Sequence, residues 1–456
     1  MHRLRIILGL LALVSLVSAC SKTHETTLGN GLKVIVQEDH RSPVVVSQIW
    51  YKIGGIDEPK GITGVSHVLE HMMFKGTEKH PSGEFSRIIA ENGGRENAFT
   101  SRDFTAYFQT LEKSRLPIAF ELEADRMRNL TLDQKEFKKE IQVVMEERRL
   151  RTEDKPEGKL FEQFSSTAYR VHPYGNPIIG WMEDLQGLTI DDVAKWYRRW
   201  YAPNNATLVV VGDVEPKEVV ALAKKHFGPI PRQEIKPSVL PAEPPQTETR
   251  RVVVKEPATV PSIMLGYHAP VLGQAQPKWE PYALEVLAGI LDGGKSARFS
   301  ADLVRKQRIA SSAGAGYDAV SRAPSMFLLN GTPANGHTVA ELEQALLAQI
   351  ERIKKEPIGA DELERVKAQV TASDVYQRDS VFYQAMEIGM LETSGLSRHY
   401  VDDYVDRINA VTAKQVRTVA EKYLVESNLT VAVLEPQPFG KKQRPRPSTS
   451  GGGHGH

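Results

Sequence analysis

Cysteine is almost missing from this 456-residue chain, with Cys20 standing alone, so no intramolecular disulfide can form. Net charge is also nearly missing. The 58 basic side chains are balanced by 57 acidic ones, which leaves no electrostatic footprint for nucleic acid. Apolar residues at 41% and charged residues at 25% are the proportions of a soluble globular protein and exclude both a disordered chain and a bundle of membrane helices. The length exceeds what one ordinary core organises, so two or three globular units are expected.

The first twenty residues, MHRLRIILGLLALVSLVSAC, depart from that average. Arg3 and Arg5 precede an apolar run from Ile6 to Val17, and small residues lead to Cys20. This is the pattern of a secretory signal and is too short for a spanning helix. The closing VSAC resembles the bacterial lipobox, in which the cysteine becomes the lipid-bearing first residue; plain cleavage after Ala19 is the alternative. Lipidation would give the lone cysteine a use. The expected location is the periplasm or cell envelope of a bacterium, with membrane contact only through a lipid on Cys20.

Beyond the signal, 31-GLKVIVQEDHRSPVVVSQIWYKIGG-55 reads as two β-rich runs joined by a polar turn, a hairpin. A helix then begins near Thr63 or Ser66, either of which is a capping residue, and carries Val65, Val68, Leu69 and Met72 at helical spacing. The stretch 82-SGEFSRIIAENGG-94 predicts a short helix with a serine cap. Alternation of Phe104, Ala106 and Phe108 predicts strands across 96–111, and residues 112–151 return to a helical pattern. Prolines crowd 229-PIPRQEIKPSVLPAEPPQTETR-250 and mark a linker. Laying residues 189–213 over 412–436 at a constant offset of 223 aligns Thr189 with Thr412, Val193 with Val416, Asn205 with Asn428 and Thr207 with Thr430. The expected fold is therefore α+β, two homologous domains in tandem, each a mostly antiparallel sheet with helices packed on it. The expected divisions are a signal over 1–20, a first domain over 25–232, a linker over 233–250, a second domain over 251–437 and a disordered tail over 438–456.

Only the first half contains the cluster 67-HVLEH-71. On a helix, residues i and i+4 share a face, so His67 and His71 can offer imidazole nitrogens to one ion. Zinc suits two imidazoles and a carboxylate, and Glu70 beside that face is placed to take a proton from a water attacking a carbonyl. Two core histidines would give the same five residues, so a third ligand decides the matter. The stretch 136-EFKKEIQVVMEERR-149 offers Glu136, Glu140, Glu146 and Glu147, with Glu140 and Glu147 seven apart on one helix face. Spacing alone does not choose among them.

HVLEH followed by Glu147 resembles the inverzincin peptidases of the pitrilysin and insulinase family, above all the two-domain members similar to the zinc-binding subunit of mitochondrial processing peptidase. The resemblance extends through GGIDEPKGITGVSHVLEHMMFKGT, NAFTSRD, HPYGNPIIGW, YAPNNATLVVVGDV and LDGGKSARFSADL, and so covers most of the chain. It implies one zinc held by His67, His71 and Glu147, Glu70 as general base, and Glu140 as a carboxylate supporting the ligands. It also implies an edge strand at Asn97, Ala98 and Phe99 that adds the substrate backbone to the sheet. By itself LDGGKSARF is a helix-entry turn, lacking the spacing of a phosphate-binding loop.

One feature of the family is missing. Active members carry, in a second half, an Arg and a Tyr seven residues apart that bind the substrate carbonyl. The corresponding positions here are Val304 and Ser311, and no Arg in residues 250–436 is followed seven residues later by Tyr. The resemblance therefore implies a zinc endopeptidase acting on extended peptides as one subunit of a heterodimer, clamshell-like, whose homologous partner supplies the Arg/Tyr pair. The alternative from another class is a non-catalytic core, assembly or peptide-binding protein of the same fold.

Overall fold

In the computed structural model the described residues are 23–439; Cys20, the signal segment and residues 440–456 of the tail lie outside them. The first sheet has six strands, β1 (Thr23–Thr27), β2 (Lys33–Glu38), β3 (Val44–Tyr51), β4 (Arg95–Thr100), β5 (Thr105–Glu112) and β6 (Ala206–Gly212), in the order β1-β2-β6-β3-β5-β4. All neighbours are antiparallel except β2 and β6. The hairpin expected from residues 31–55 does not form. Strand β6 inserts between its two runs, with Val209 opposite Ile35 on one side and Gln48 on the other. Leu208 to Val211 are fully buried, and a strand apolar on both faces takes the centre of a sheet rather than its margin.

The second sheet contains β7 (Arg250–Pro257), β8 (Ser262–Ala269), β9 (Ala310–Tyr317), β10 (Ser325–Pro333) and β11 (Leu429–Gln437), in the order β7-β11-β8-β10-β9. This repeats β2-β6-β3-β5-β4, again with one parallel pair, β7 and β11. The repeat read from sequence holds at the level of single bonds. Thr189 and Thr412 each begin a helix with a reciprocal capping box, to Asp192 and Gln415. Asn205 and Asn428 each donate to the carbonyl five residues back, Trp200 at 3.0 Å and Tyr423 at 2.8 Å. The fold is thus α+β with two like-built sheets, as the sequence predicted.

The halves complete each other by exchanging a helix. Val381–Thr393, from the second half, lies on β3 and β6, while Pro156–Ala168, from the first, lies on β7 and β11. At each seat a large aromatic meets a glycine, with the roles reversed. On the first sheet Trp50 lies under Gly389; on the second, Gly266 lies under Phe164. Trp50 and Gly266 hold matching positions, opposite Thr207 and Thr430. A buried ion pair also joins the halves, Arg322 to Asp57 at 2.6 and 3.0 Å. The proline-rich connection from Pro231 to Thr249 forms neither helix nor strand, and Glu243 ties it back by accepting the amides of Arg170, Val171 and His172 at 2.8–3.0 Å.

Candidate metal centre

The helix Val65–Met72 buries Val65, Val68, Leu69 and Met72 in the first core, which turns His71 and Glu70 toward a cleft with His67 beneath them. Its start differs from expectation. Neither Thr63 nor Ser66 caps it; the cap is Gly64 at φ 86°, and the Glu58 carboxylate accepts the amides of Gly64 at 2.7 Å and Ser66 at 2.8 Å. Thr63 is engaged by Asp184 instead. A glycine is required at 64, because a Cβ there would lie 2.5 Å from the carbonyl oxygen of Ile179. That contact seats the Asn176–Gly180 loop against the helix. The next helix, Glu84–Glu91, is likewise capped by a glycine, Gly83, and not by Ser82.

Glu147 comes from the helix Gln134–Arg148, which begins at Asp133, whose side chain accepts the amides of Lys135 and Glu136. After Glu147 the chain passes into a π-helical turn, Arg149–Glu153. The rings of His67 and His71 stand 4.9 Å apart at 74°. Their Nε2 atoms face Glu147, His67 at 3.8 Å from Oε1 and His71 at 3.5 Å from Oε2. One donor atom from each of the three residues falls within 4.8 Å of the others, the one such grouping of three among the described residues. Glu140 lies behind His71, with Oε2 3.3 Å from Nδ1 and Oε1 2.7 Å from Lys75 Nζ. Of the four carboxylates that spacing left open, Glu146 pairs with Arg149 and Glu136 with Lys139, and neither pairs with His67 or His71.

Burial pushes the His67 imidazolium down to about 4, with His71 adding to the effect, so this ring is neutral at ordinary pH. Burial also pushes His71 down, but Glu147 and Glu140 outweigh it and the net shift is upward. In Glu147 the upward push of burial is overcome by His71, His67 and Arg151. Burial raises Glu70, opposed by the Thr100 hydroxyl that donates to its Oε2. Two imidazoles and an ionised carboxylate, converging on one point, are a donor set that fits zinc. The buried Nδ1 of His67 has no partner.

All these groups line one cavity of about 1420 Å³, whose wall residues all lie between His67 and Ile179. Asn97, Ala98 and Phe99 line it from β4, the outermost strand of the first sheet, bonded only to β5. Asn97 Oδ1 accepts the Ala98 amide at 2.8 Å, and Phe99 packs edge-on against Trp50. Every predicted site residue within the described range is therefore brought to this cavity. Sequence reasoning missed Thr100, Lys75 and Arg151. Lys75 and Arg151 stand four residues beyond His71 and Glu147, a helical spacing that pointed to them; Thr100 left no such signal. Val304 and Ser311 lie elsewhere, Val304 against the second core and Ser311 on β9, bonded to the Thr332 carbonyl.

Comparison with known proteins gives two family matches. Residues 33–181 match the model described as insulinase, peptidase family M16, and residues 187–370 match the M16 inactive domain. The histidine cluster falls in the first. The zinc protease PqqE of Helicobacter pylori is 33% identical over 424 residues, covering 91% of this chain and 93% of that protein. A crystal structure of a protease from Helicobacter pylori superposes with a TM-score of 0.86 at 32% identity, covering 91% of this chain and all of that one. The periplasmic protease PqqL of Escherichia coli shares the fold at a TM-score of 0.77 and 19% identity, over 91% of this chain and 48% of that one.

Proposed function

Because the chain belongs to the insulinase family of peptidases, M16, we propose that it is a zinc-dependent endopeptidase that hydrolyses extended peptides in the cavity that His67, Glu70, His71 and Glu147 line. The observation that carries this reading is the convergence of His67, His71 and Glu147 beside a buried Glu70. These three residues would hold one zinc per chain, which when bound supplies Lewis-acid polarisation of a carbonyl and of water. Glu70 takes the proton from the attacking water and returns it to the departing amine. Burial raises its affinity for a proton, the direction that a group serving first as base and then as acid needs, and the Thr100 hydroxyl fixes which oxygen is free. Glu140 accepts from His71 Nδ1 and so holds Nε2 toward the metal. The substrate backbone lies along β4 at Asn97, Ala98 and Phe99, whose outer edge is open to a further strand.

The same reading makes the chain one subunit of a heterodimer. It is supported by the cavity wall, to which the second half contributes no residue, and by Val304 and Ser311 at the positions where the family resemblance implies an Arg and a Tyr. Losing one donor to a developing oxyanion costs a hundredfold or more, so a homologous partner bearing the pair would restore that factor. The test is a quenched-peptide assay of the purified chain, alone and with such a partner. Stimulation by the partner of about a hundredfold is expected, and full activity of the isolated chain would refute the shared site. Export to the periplasm, with Cys20 lipid-modified, belongs to the same proposal and is supported by the signal-like N-terminus and by the fold shared with periplasmic PqqL. No helix among the described residues is long and apolar enough to cross a membrane. A non-catalytic role would leave the intact His/His/Glu set and Glu70 without a use.

A further inference from the structure

The cavity wall contains three side-chain cations besides the histidines, and two of them are spent. Lys75 pairs with Glu140 at 2.7 Å and Arg151 with Glu147 at 2.6 Å. The third, Arg102, has no carboxylate within 4.0 Å among the described residues. Its one hydrogen bond is a long one, Nη2 to Ser165 Oγ at 3.4 Å, and its Nε is buried with no acceptor at all. A buried donor left unmet is rare in folded proteins and calls for an explanation.

The guanidinium is nevertheless held in place. It lies 5.7 Å from the Phe161 ring and 5.6 Å from the Tyr174 ring, a pair of cation–π contacts from the exchanged helix and from the turn after it. Behind it, the backbone is fixed by Ile56, whose amide donates to the Arg102 carbonyl at 2.8 Å. Gly54 lies so close that a Cβ there would come within 2.7 Å of that same oxygen. Arg102 also follows Thr100, the residue that touches Glu70, by two positions at the end of β4. A peptide extended along β4 therefore runs directly toward it.

We infer that Arg102 is a specificity-determining residue whose planar fork binds a carboxylate of the substrate. The surroundings favour that ligand by elimination of the protein's own candidates. Of the cavity's six carboxylates, Glu70, Glu140, Glu146, Glu147 and Glu162 are committed to Thr100, Lys75, Arg149, Arg151 and Arg148, and Glu96, at the opposite end of β4, forms no ion pair with Arg102. Among the described residues Nη1 of Arg102 has no hydrogen-bond partner and Nη2 only the long bond to Ser165, and this end of the fork is matched bidentately by a carboxylate and by no neutral peptide side chain. Two sources share this chemistry, an Asp or Glu side chain within the peptide and a free C-terminus at its end. An antiparallel peptide presents its N-terminal portion to the Arg102 end of β4, so the internal acidic side chain is the expected source.

The inference rests on the peptidase reading, and its test is kept separate from turnover. Fluorescence anisotropy is measured on the zinc-loaded, full-length Glu70→Gln chain with three labelled peptides of one sequence. One has an internal Glu and an amidated end, one has Gln and an amidated end, and one has Gln and a free carboxylate. The Glu peptide should bind on the order of tenfold more tightly than its Gln counterpart, the gain of one charge-assisted pair. Adding Arg102→Gln should erase that difference while leaving the Gln peptides unchanged, and Arg102→Lys should restore only part of it. Tighter binding of the free-carboxylate peptide, equally lost in Arg102→Gln, would assign the terminal source. Equal binding of all three peptides, including failure of all three to bind, overturns the inference. Cleavage of the neutral peptide by the unaltered protein tests the peptidase reading on its own.

Discussion

Replacing Gly389 by alanine tests how the two halves are held together. A Cβ at this position would lie 2.0 Å from Trp50 Cε2 and 2.3 Å from Nε1, whereas carbon atoms in contact prefer about 3.5–4.0 Å. Roughly 1.5 Å must be found, and the tryptophan cannot yield it. Trp50 is fully buried, Phe104 and Phe99 stand 4.8 and 5.4 Å from it, and its Nε1 donates to Gln48 at 2.9 Å. The helix Val381–Thr393 must therefore lift from β3 and β6. Overpacking of a filled core costs about 1–3 kcal/mol, and with rigid ring atoms as the obstacle the upper end, about 3 kcal/mol, is expected. Helix propensity acts with the opposite sign, favouring alanine over glycine by up to about 1 kcal/mol. In a Trp50→Leu background, where the ring atoms are gone, Gly389→Ala should accordingly be neutral or stabilising. Urea titrations followed by circular dichroism on the four proteins of this cycle read the coupling directly. A Gly389→Ala effect equal in both backgrounds would refute the interlocked seat.

Other consequences follow from the same contacts. Glu140→Gln weakens the hold on His71 Nδ1 and leaves Lys75 without its partner, so zinc affinity measured against a competing chelator should fall about 10–100-fold with the fold intact; unchanged affinity would remove Glu140 from its supporting role. Burial pushes Glu285 up to about 7 from the ordinary 4.5, against the Tyr404 hydroxyl that donates to it, with Asp318 and Asp374 adding repulsion. The folded state then holds this proton more tightly than the unfolded one. Stability from this group is full below about pH 4.5 and is lost as pH rises toward 7, by roughly 3 kcal/mol at most. Glu285→Gln should flatten that part of the stability profile, and a profile unchanged by the substitution would contradict the assignment.

What could be read from the sequence and what could not divide along physical lines. The ligand helix was legible because its chemistry is local, two histidines and a glutamate within five residues on an apolar background. Glu140 and Glu147 were legible as a face of one helix, but choosing them over Glu136 and Glu146 required knowing which face meets the histidines. The repeat at an offset of 223 was legible because capping boxes and strand-leading asparagines are fixed by short-range bonds. The supposed β2–β3 hairpin failed because its true partner, β6, lies more than 150 residues downstream, and alternation reports burial without naming a neighbour. The caps at Thr63 and Ser66 failed for a related reason, since a carboxylate from the preceding turn, Glu58, took the amides first. The helix exchange between the halves depends on Trp50 meeting Gly389 and Phe164 meeting Gly266, pairings that no periodicity announces.

The most direct test of the central claim is to compare metal content and peptide cleavage in the unaltered protein and in Glu70→Gln, each assayed with the proposed partner present. The account predicts one zinc per chain in both, with turnover lowered in Glu70→Gln by about 10²–10⁴-fold, the usual contribution of a general base. Glu70→Gln that still cleaves within tenfold of the unaltered rate, or an unaltered chain that holds no zinc, would contradict it.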